Sequence, residues 1–275
     1  MDVKNVTRIN IGKNSEEQQR GTYSKLRNGN RSDKSSSGEG TSSNRFDRRI
    51  LSAEEGENLG GKIQKEAVNL LRRDAGADVF AQQEKLVKWA TENDKKGYFY
   101  NRDDHEKLKE TWQKDENGNL KRIGGTESDV FPDHKNNRVI KVTNYSAINK
   151  VTPLDFLNDR ITWYNRLFPD SAYKLIGIMN YRDIENRDND IFRFVLEQPF
   201  IKGKKMTREE IDKKMTGMGF KKGRLSSQYY LELENGRFLK LTDALIRNFI
   251  KEENGDIVCI DPVIRESDEI DNIKA

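Results

Sequence analysis

The spacing of hydrophobic positions changes along the chain and divides it into four predicted regions. Residues 1–47 carry few apolar side chains among Asn, Ser, Gly, Arg and Lys, which predicts a disordered tail because little burial is available to offset ordering entropy. Residues 48–121 show helical spacing, 122–201 change to strand patterns, and 202–275 combine a helix with two hairpins. The helices predicted in the second region cover residues 63–73, 79–92 and 103–113.

Capping and turn signals set the elements after residue 122. A helix is predicted from Thr152, as N-cap, to Pro169, and an apolar strand from 191 to 201. A capping box of Thr207 and Glu210 begins a helix that runs through Met218. Two Asn-Gly pairs lie between apolar runs and predict β-hairpins, because a tight turn needs residues that accept positive φ. They are Asn235-Gly236 and Asn254-Gly255, and an acidic tail is predicted after the second hairpin.

Composition limits the function classes. The 275 residues are 33% hydrophobic and 35% charged, which indicates a small core and one or two domains. A net charge of +4, from 50 basic and 46 acidic residues, leaves nucleic-acid binding possible but not favoured. Apolar runs are too short to cross a membrane and the N-terminus lacks a signal-peptide core, so a cytoplasmic location is expected.

Cysteine and histidine usage excludes several chemistries. The single cysteine, Cys259, lies in an apolar strand and is expected to be a buried core thiol, so no disulfide can form within the chain. The only histidines, His105 and His134, lie in polar segments. A zinc site or a Ser-His-Asp triad is therefore not expected.

Three polar residues surround the second hairpin. If Asn254-Gly255 is a two-residue loop, Asn248 faces Asp261 with Cβ atoms about 5 Å apart. An amide oxygen and a carboxylate together suit Mg²⁺ and substrate phosphates. Asp243, five residues before the asparagine, could receive a proton. This order, Asp-x-x-x-x-Asn and then Asp, is the metal and base pattern of protein kinases, although hairpin-end capping would also explain it.

The first half of the chain offers matching phosphate-binding groups. Gly124 and Gly125 lie in a small-residue loop before a strand, and Lys141 lies on the following strand as part of Val-Ile-Lys. Backbone amides of such a loop can approach phosphates, and the lysine can bridge them. The loop matches the kinase glycine pattern poorly, because only Gly125 aligns and Ser128 replaces the last glycine.

A hinge and a partner for the lysine complete the predicted site. Gln198 and Phe200 end the apolar strand, and the Gln198 carbonyl and the Phe200 N–H are the candidate adenine contacts, since Pro199 between them has no N–H. Kinases pair the strand lysine with a helix carboxylate. The sequence does not choose between the three candidates, Glu84, Asp155 and Asp159.

Residues 82–264 resemble the kinase-like domain of polyvalent proteins from bacterial mobile elements and phages. The segments that carry the resemblance are 83–90, 125–131, 139–142, 165–170, 198–201 and 260–262. The resemblance implies a compact, two-lobed, kinase-like α+β fold with a small antiparallel sheet in its N-lobe and β-hairpins at the active site. It also implies ATP- and Mg²⁺-dependent phosphotransfer to an unknown protein or small-molecule acceptor.

The chain departs from the family pattern beside the predicted base. Leu245 stands where the family has a polar residue. The electrostatic stabilisation that such a residue gives to the moving phosphoryl group is therefore missing unless Arg247 supplies it. A pseudokinase that binds nucleotide, and an interaction domain without a ligand, are the alternatives. A lysine-rich cluster could bind an acidic or nucleic-acid partner, although a solvated surface is favoured. Its members are Lys202, Lys204, Lys205, Lys213, Lys214, Lys221, Lys222 and Arg224.

Overall fold

The computed structural model describes residues 50–268 apart from 75, 114–120, 122, 125–126, 146–150 and 183–189. The predicted disordered tail, residues 1–47, lies outside the described residues. Gly125, one of the two predicted phosphate-loop glycines, also lies outside them.

Seven α-helices are described, and two of them, α5 and α7, begin at the predicted caps Thr152 and Thr207. The helices are α1 (Ala53–Leu59), α2 (Gly61–Arg72), α3 (Val79–Glu92), α4 (Arg102–Lys109), α5 (Pro153–Asp155), α6 (Thr162–Leu167) and α7 (Arg208–Gly217). The prediction for α3 is confirmed at both ends, and Asp78 caps it by accepting from the Ala81 N–H. The capping box of Thr207 and Glu210 is confirmed at the start of α7.

Twelve strands are described. They are β1 (Phe99–Tyr100), β2 (Ser128–Asp133), β3 (Arg138–Thr143), β4 (Lys174–Arg182), β5 (Asp190–Pro199), β6 (Lys204–Lys205), β7 (Lys221–Lys222), β8 (Tyr229–Glu232), β9 (Phe238–Thr242), β10 (Phe249–Lys251), β11 (Ile257–Cys259) and β12 (Val263–Ser267). They form sheets in the orders β1-β4-β5-β3-β2, β11-β10-β6 and β12-β9-β8-β7. The described residues are thus a mixed α/β structure with several small sheets, as the α+β prediction requires.

The five-stranded sheet has an apolar core on each face. Strands β2 to β5 pair antiparallel, and β1 alone is parallel to its neighbour β4. Ile140 and Val142 point to the smaller core, where Trp112 stacks on Phe131 at 5.1 Å between ring centroids. Lys141 lies between them and therefore points to the other face. That face carries the larger core, to which helices α2, α3, α6 and α7 and the hairpin strands contribute.

The predicted helix from Thr152 to Pro169 is interrupted. Its cap at Thr152 and its first residue, Pro153, are confirmed, but a π-helical turn over Phe156–Ile161 separates α5 from α6. A 3₁₀ turn over Pro169–Ser171 follows. π-Turns inside helices are uncommon and often occur at functional sites. The turn shifts the residues after Asp155 away from simple helical spacing.

Both Asn-Gly hairpins are present, and each has a three-residue loop, whereas the second was predicted to have a loop of two residues. In the second hairpin the Glu252 N–H donates to Asp256 O at 2.8 Å, and Phe249 pairs with Cys259. Gly255 takes φ +87°, the left-handed residue that such loops use. The predicted facing of Asn248 and Asp261 is therefore wrong by one position. Asn248 lies opposite Ile260, whose N–H donates to its carbonyl at 2.8 Å.

A strand replaces the start of the predicted acidic tail. β12 pairs antiparallel with β9, and Thr242 lies opposite Val263. Asp243 follows β9 and Asp261 shortly precedes β12, so both residues lie at the same end of this strand pair. The pairing of β9 with β12 therefore brings the site residues together, a role that was predicted for the register of the second hairpin. Among the described helices, none has the length and apolar character needed to cross a bilayer.

Candidate functional site

Lys141 is a buried cation at the junction of two sheets. Only 5% of the residue is exposed. Its Nζ donates to Tyr173 Oη and to the Ile260 carbonyl, each at 3.0 Å, and lies 3.5 Å from Asp261 Oδ1. A buried charge is costly unless it is paired, so these contacts offset the cost of burying the Lys141 side chain.

Asp261 faces Lys141 from the segment between β11 and β12. The single proton of the Tyr173 hydroxyl has two acceptors within reach, Asp261 Oδ1 at 3.0 Å and the Ile260 carbonyl at 2.8 Å. Burial favours the neutral carboxyl, but nearby Lys141 and Arg160 outweigh it, so the pKa of Asp261 lies below its ordinary value. The carboxylate is ionised at neutral pH, and Oδ2 is the oxygen that could bind a cation.

Asn248 connects the two aspartates. Its Nδ2 donates to the Asp243 carbonyl at 2.8 Å, to Asp243 Oδ2 at 3.0 Å and to the Asp261 carbonyl at 3.1 Å. The side chain is buried, and these bonds orient its amide. With Nδ2 directed at the protein, Oδ1 is the oxygen that could face a metal ion. Asn248 and Asp261 are therefore adjacent despite the shifted register.

Asp243 has a strained backbone. Its φ is +55°, a left-handed conformation that costs energy for residues other than glycine. The Leu245 N–H donates to its carbonyl at 2.7 Å, so the chain turns sharply after β9. The Asn248 amide holds both its carbonyl and its carboxylate. Strain maintained by surrounding contacts is typical of functional positions.

The two residues that bear on catalytic competence lie next to Asp243. Arg247 is exposed, and its Nη2 is 3.7 Å from Asp243 Oδ1. Leu245 is half-buried and precedes the 3₁₀ turn Ile246–Asn248. The structure therefore places Arg247, the predicted substitute cation, beside Asp243, the predicted base. The Leu245 side chain carries no charge.

The described part of the phosphate loop requires glycine at one position. Gly124 has φ +133° and bridges to Asp129, and a Cβ there would clash with the Ser128 carbonyl. This close approach folds the loop back on β2. The loop then leads to Glu127, whose carbonyl accepts from the Asn144 N–H at 2.7 Å.

The predicted hinge residues have structural partners. The Phe200 N–H donates to the Asn137 carbonyl at 3.0 Å, so this predicted adenine donor is occupied. Gln198 is buried, and its Nε2 donates to Tyr164 Oη at 2.8 Å and to the Ser171 carbonyl at 2.7 Å. Its side chain therefore joins β5 to Tyr164 and Ser171.

None of the three candidate carboxylates contacts Lys141 among the described residues. Asp155 caps its own helix by accepting from the Thr152 N–H and hydroxyl. Asp159 accepts from Asn158, and burial raises its pKa. For Glu84 the structure shows no bond to the lysine. Tyr173 and Asp261 take the position beside Lys141, and no local sequence signal marked Tyr173.

Arg160 and Glu127 were also missed from the sequence. Arg160, in the π-helical turn, forms an ion pair with Glu127, and both side chains are largely buried. Both line a small pocket together with Lys141, Tyr173 and Asp261. Charge alone could not have distinguished Arg160, because the chain contains 50 basic residues.

Cys259 is a core residue, as the sequence predicts. Cys259 is fully buried, which raises the pKa of its thiol well above the usual value and keeps it protonated. No group of three or more His, Cys, Asp or Glu side chains converges in the part of the chain that the structure describes. The Asn248 and Asp261 pair suits a cation that also binds phosphate oxygens.

The predicted lysine-rich cluster is partly neutralised. Lys222 Nζ lies 2.6 Å from Asp212, and Lys221 lies 3.5 Å from Glu232. Such ion pairs reduce the positive field that a nucleic-acid surface would need. They agree with the interpretation of this cluster as a solvated surface.

Comparison with known families gives one match. Residues 80–268 match the model of a family described as serine/threonine/tyrosine kinase found in polyvalent proteins. The match covers about two thirds of the chain and contains every predicted site residue. Neither the curated proteins nor the solved structures gave a match.

Proposed function

Because the chain belongs to the serine/threonine/tyrosine kinase family found in polyvalent proteins, we propose that it is an ATP- and Mg²⁺-dependent phosphotransferase. The observation that carries the proposal is the convergence of Lys141, Asn248 and Asp261 beside Asp243. Lys141 lies on β3, whereas the other three residues come from the much later segment 243–261, and the residue types are those that phosphoryl transfer requires. The acceptor is a protein or a small molecule.

Each group has a role in the proposal. Lys141 binds the phosphates from the sheet side, and Gly124 and Gly125 form the loop above them. Asn248 Oδ1 and Asp261 Oδ2 hold Mg²⁺, which neutralises phosphate charge when bound. Adenine lies against the Gln198–Phe200 segment, whose Phe200 N–H already donates to the Asn137 carbonyl.

Asp243 orients the acceptor hydroxyl and accepts its proton. Its bond from Asn248 and its proximity to Arg247 fix the carboxylate beside the proposed metal site. Arg247 stabilises negative charge on the moving phosphoryl group in place of the missing polar residue at Leu245.

A two-lobed arrangement is part of the proposal. The sheet that contains β3 would form most of one lobe, and the sheet of β9 and β12 would lie in the other, with the cleft between Lys141 and Asp261. The boundary between lobes is expected near residues 201 and 202.

A nucleotide-binding pseudokinase is the second candidate, and Leu245 is the observation that favours it. Wild-type protein should first be titrated with ATP, with and without Mg²⁺, by calorimetry. Phosphate release and autophosphorylation should then be compared with an Asp243→Asn control, which tolerates positive φ better than alanine. Slow turnover above the control supports the phosphotransferase. Binding without such turnover identifies the pseudokinase, and no binding at millimolar ATP refutes both.

Arg247→Ala tests the assignment of the substitute cation. The rate should fall by about tenfold or more while ATP affinity changes little, because the interaction is made mainly in the transition state. Leu245→Lys should raise the rate or leave it unchanged. An equal loss of rate and ATP affinity in Arg247→Ala would assign Arg247 to ground-state binding.

A further inference from the structure

Two cations line the small pocket beside Glu127 and Ser128. Lys141 reaches it from β3 and Arg160 from the π-helical turn, and Asp261 and Glu127 supply the negative charges. Formal charges therefore cancel within the cavity. The helix after the lysine strand contributes an arginine here, whereas the expected contribution was a carboxylate that would pair with Lys141.

Arg160 is held toward the cavity by specific contacts. Its guanidinium pairs with Glu127 and lies 5.5 Å from the centre of the Phe156 ring. Only 15% of its side chain is exposed. A planar guanidinium with several donors suits polyphosphate oxygens as well as a carboxylate. The π-turn that presents it is a second, independent sign of a functional position.

Glu127 lies where a bound anion would compete with it. It directly follows the undescribed loop residues 125–126, and its backbone carbonyl is fixed by Asn144. Its carboxylate is the group that occupies Arg160 in this structure. A phosphate that binds Lys141 in this pocket would have to displace the Glu127 carboxylate to reach the second cation, Arg160.

We propose that Arg160 is a second polyphosphate-binding residue of this site, and that Glu127 competes with the ligand for it. The inference rests on the proposed nucleotide site and deepens it. Arg160 adds charge-assisted hydrogen bonds to the phosphates. Glu127 pairs with Arg160 in the free protein and so lowers the affinity for the phosphates, which must displace it. The alternative is a structural latch, in which the ion pair only fastens the loop to the helix.

The two interpretations predict opposite signs for one substitution. Under the proposal, Arg160→Gln weakens binding and Glu127→Gln strengthens it, because the competing charge is gone. Under the latch, both substitutions loosen the loop and weaken binding alike. Arg160→Lys retains the charge but loses the planar fork, so it should fall between wild type and Arg160→Gln.

The experiment measures the affinity of the full chain for Mg-ATP, inorganic tripolyphosphate and adenosine by calorimetry. Arg160→Gln should weaken Mg-ATP and tripolyphosphate by about tenfold and leave adenosine unchanged. Glu127→Gln should tighten the first two several-fold. The matched controls, Arg72→Gln and Glu57→Gln, break an ion pair of 3.1 Å elsewhere and should change no affinity.

Weaker tripolyphosphate binding by Glu127→Gln would overturn the proposal in favour of the latch. Unchanged tripolyphosphate affinity in Arg160→Gln would also overturn it. Arg160-dependent tripolyphosphate binding without any phosphate transfer would retain the inference and refute the phosphotransferase. Transfer by wild type with ATP affinity independent of Arg160 would refute the inference alone.

Discussion

The hairpins β8–β9 and β10–β11 turn on the same Asn-Gly pair and have the same loop length. Their glycines take φ +79° and +87°, and in each loop the asparagine Oδ1 accepts from the N–H two residues later. They differ in burial. β8 and β9 carry runs of buried residues such as Tyr229 and Leu239, whereas β10 and β11 are buried only toward their open end, at Phe249 and Cys259, and are half-buried toward the loop.

The hairpins also deliver different parts of the site. β9 leads into the strained Asp243 and is flanked by β8 and β12, so the proposed base follows the centre of a four-stranded sheet. β10 and β11 lie between Asn248 and Asp261, the proposed metal residues. The turn sequence therefore sets the geometry of each loop, whereas the strands that pair with each hairpin determine which site residues the hairpin positions. Substitutions in β8–β9 should affect stability most, and those beside β10–β11 should affect ligand binding most.

Leu239→Ala should have the largest effect on stability. Leu239 is fully buried in β9, so the substitution leaves a cavity and should lower the free energy of unfolding by about 2–5 kcal/mol. Ile250→Ala, at a half-buried position in β10, should cost about 1 kcal/mol. Urea denaturation checks both variants, and equal losses would remove the proposed difference between the hairpins.

Asp261→Asn should affect binding more than stability. The affinity for Mg-ATP should fall by about ten- to a hundredfold, because a charged metal ligand is lost. Lys141 keeps its bonds to Tyr173 and Ile260, so the stability loss should be smaller than for Leu239→Ala. Calorimetry with and without Mg²⁺ measures the effect.

Asp256→Asn makes the same chemical change at the turn end of the second hairpin and is the matched control. It should bind Mg-ATP as wild type does. Equal weakening by both variants would mean that the hairpin acts through its fold and that Asp261 has no special role.

The two glycines should respond alike to alanine. A Cβ at Gly236 or Gly255 meets no atom within 4 Å, so the cost comes from the backbone conformation alone. Each substitution should lower the free energy of unfolding by about 1 kcal/mol. Gly217→Ala, at the end of α7 with similar open space, should be neutral or stabilising. Thermal denaturation tests this, and a large difference between Gly236→Ala and Gly255→Ala would show that the turns are not equivalent.

The smallest expected effect is the acid sensitivity of Asp261. Its folded pKa is lowered by Lys141 and Arg160 against the opposing effect of burial. The ionised carboxylate therefore stabilises the fold above its unfolded pKa of about 4, and this stability is lost as pH falls through the lower folded pKa. Urea midpoints between pH 7 and pH 3 should fall more steeply for wild type than for Asp261→Asn. Parallel profiles would contradict the assignment.

Local signals predicted local structure well. The apolar spacing defined α3, and the box of Thr207 and Glu210 defined the start of α7. The Asn-Gly pairs located both hairpins, but the two-residue loop assumed for the second hairpin gave a register wrong by one position, because the same dipeptide serves loops of two or three residues. The π-turn was not predictable, since helical spacing continues on either side of it.

Long-range features of the site were harder to predict. The residue types at Lys141, Asn248 and Asp261 were recognised from their order along the chain. Their actual assembly depends on β12, whose mixed polar sequence was interpreted as a tail, and on Tyr173, which only tertiary packing brings to Lys141. Residues that act through distant partners leave no periodic pattern in sequence.

The hydrogen bond from Lys141 to the Ile260 carbonyl joins residues 119 positions apart, and the bond from Tyr173 to Asp261 spans 88. Contacts of such separation form late, because loop-closure entropy must be overcome first. During synthesis, the strands through β5 could pair before Asp261 has left the ribosome. Until then, Lys141 would lack both its ion pair with Asp261 and its hydrogen bond to the Ile260 carbonyl. Nucleotide binding would therefore report completion of the chain at least through β12.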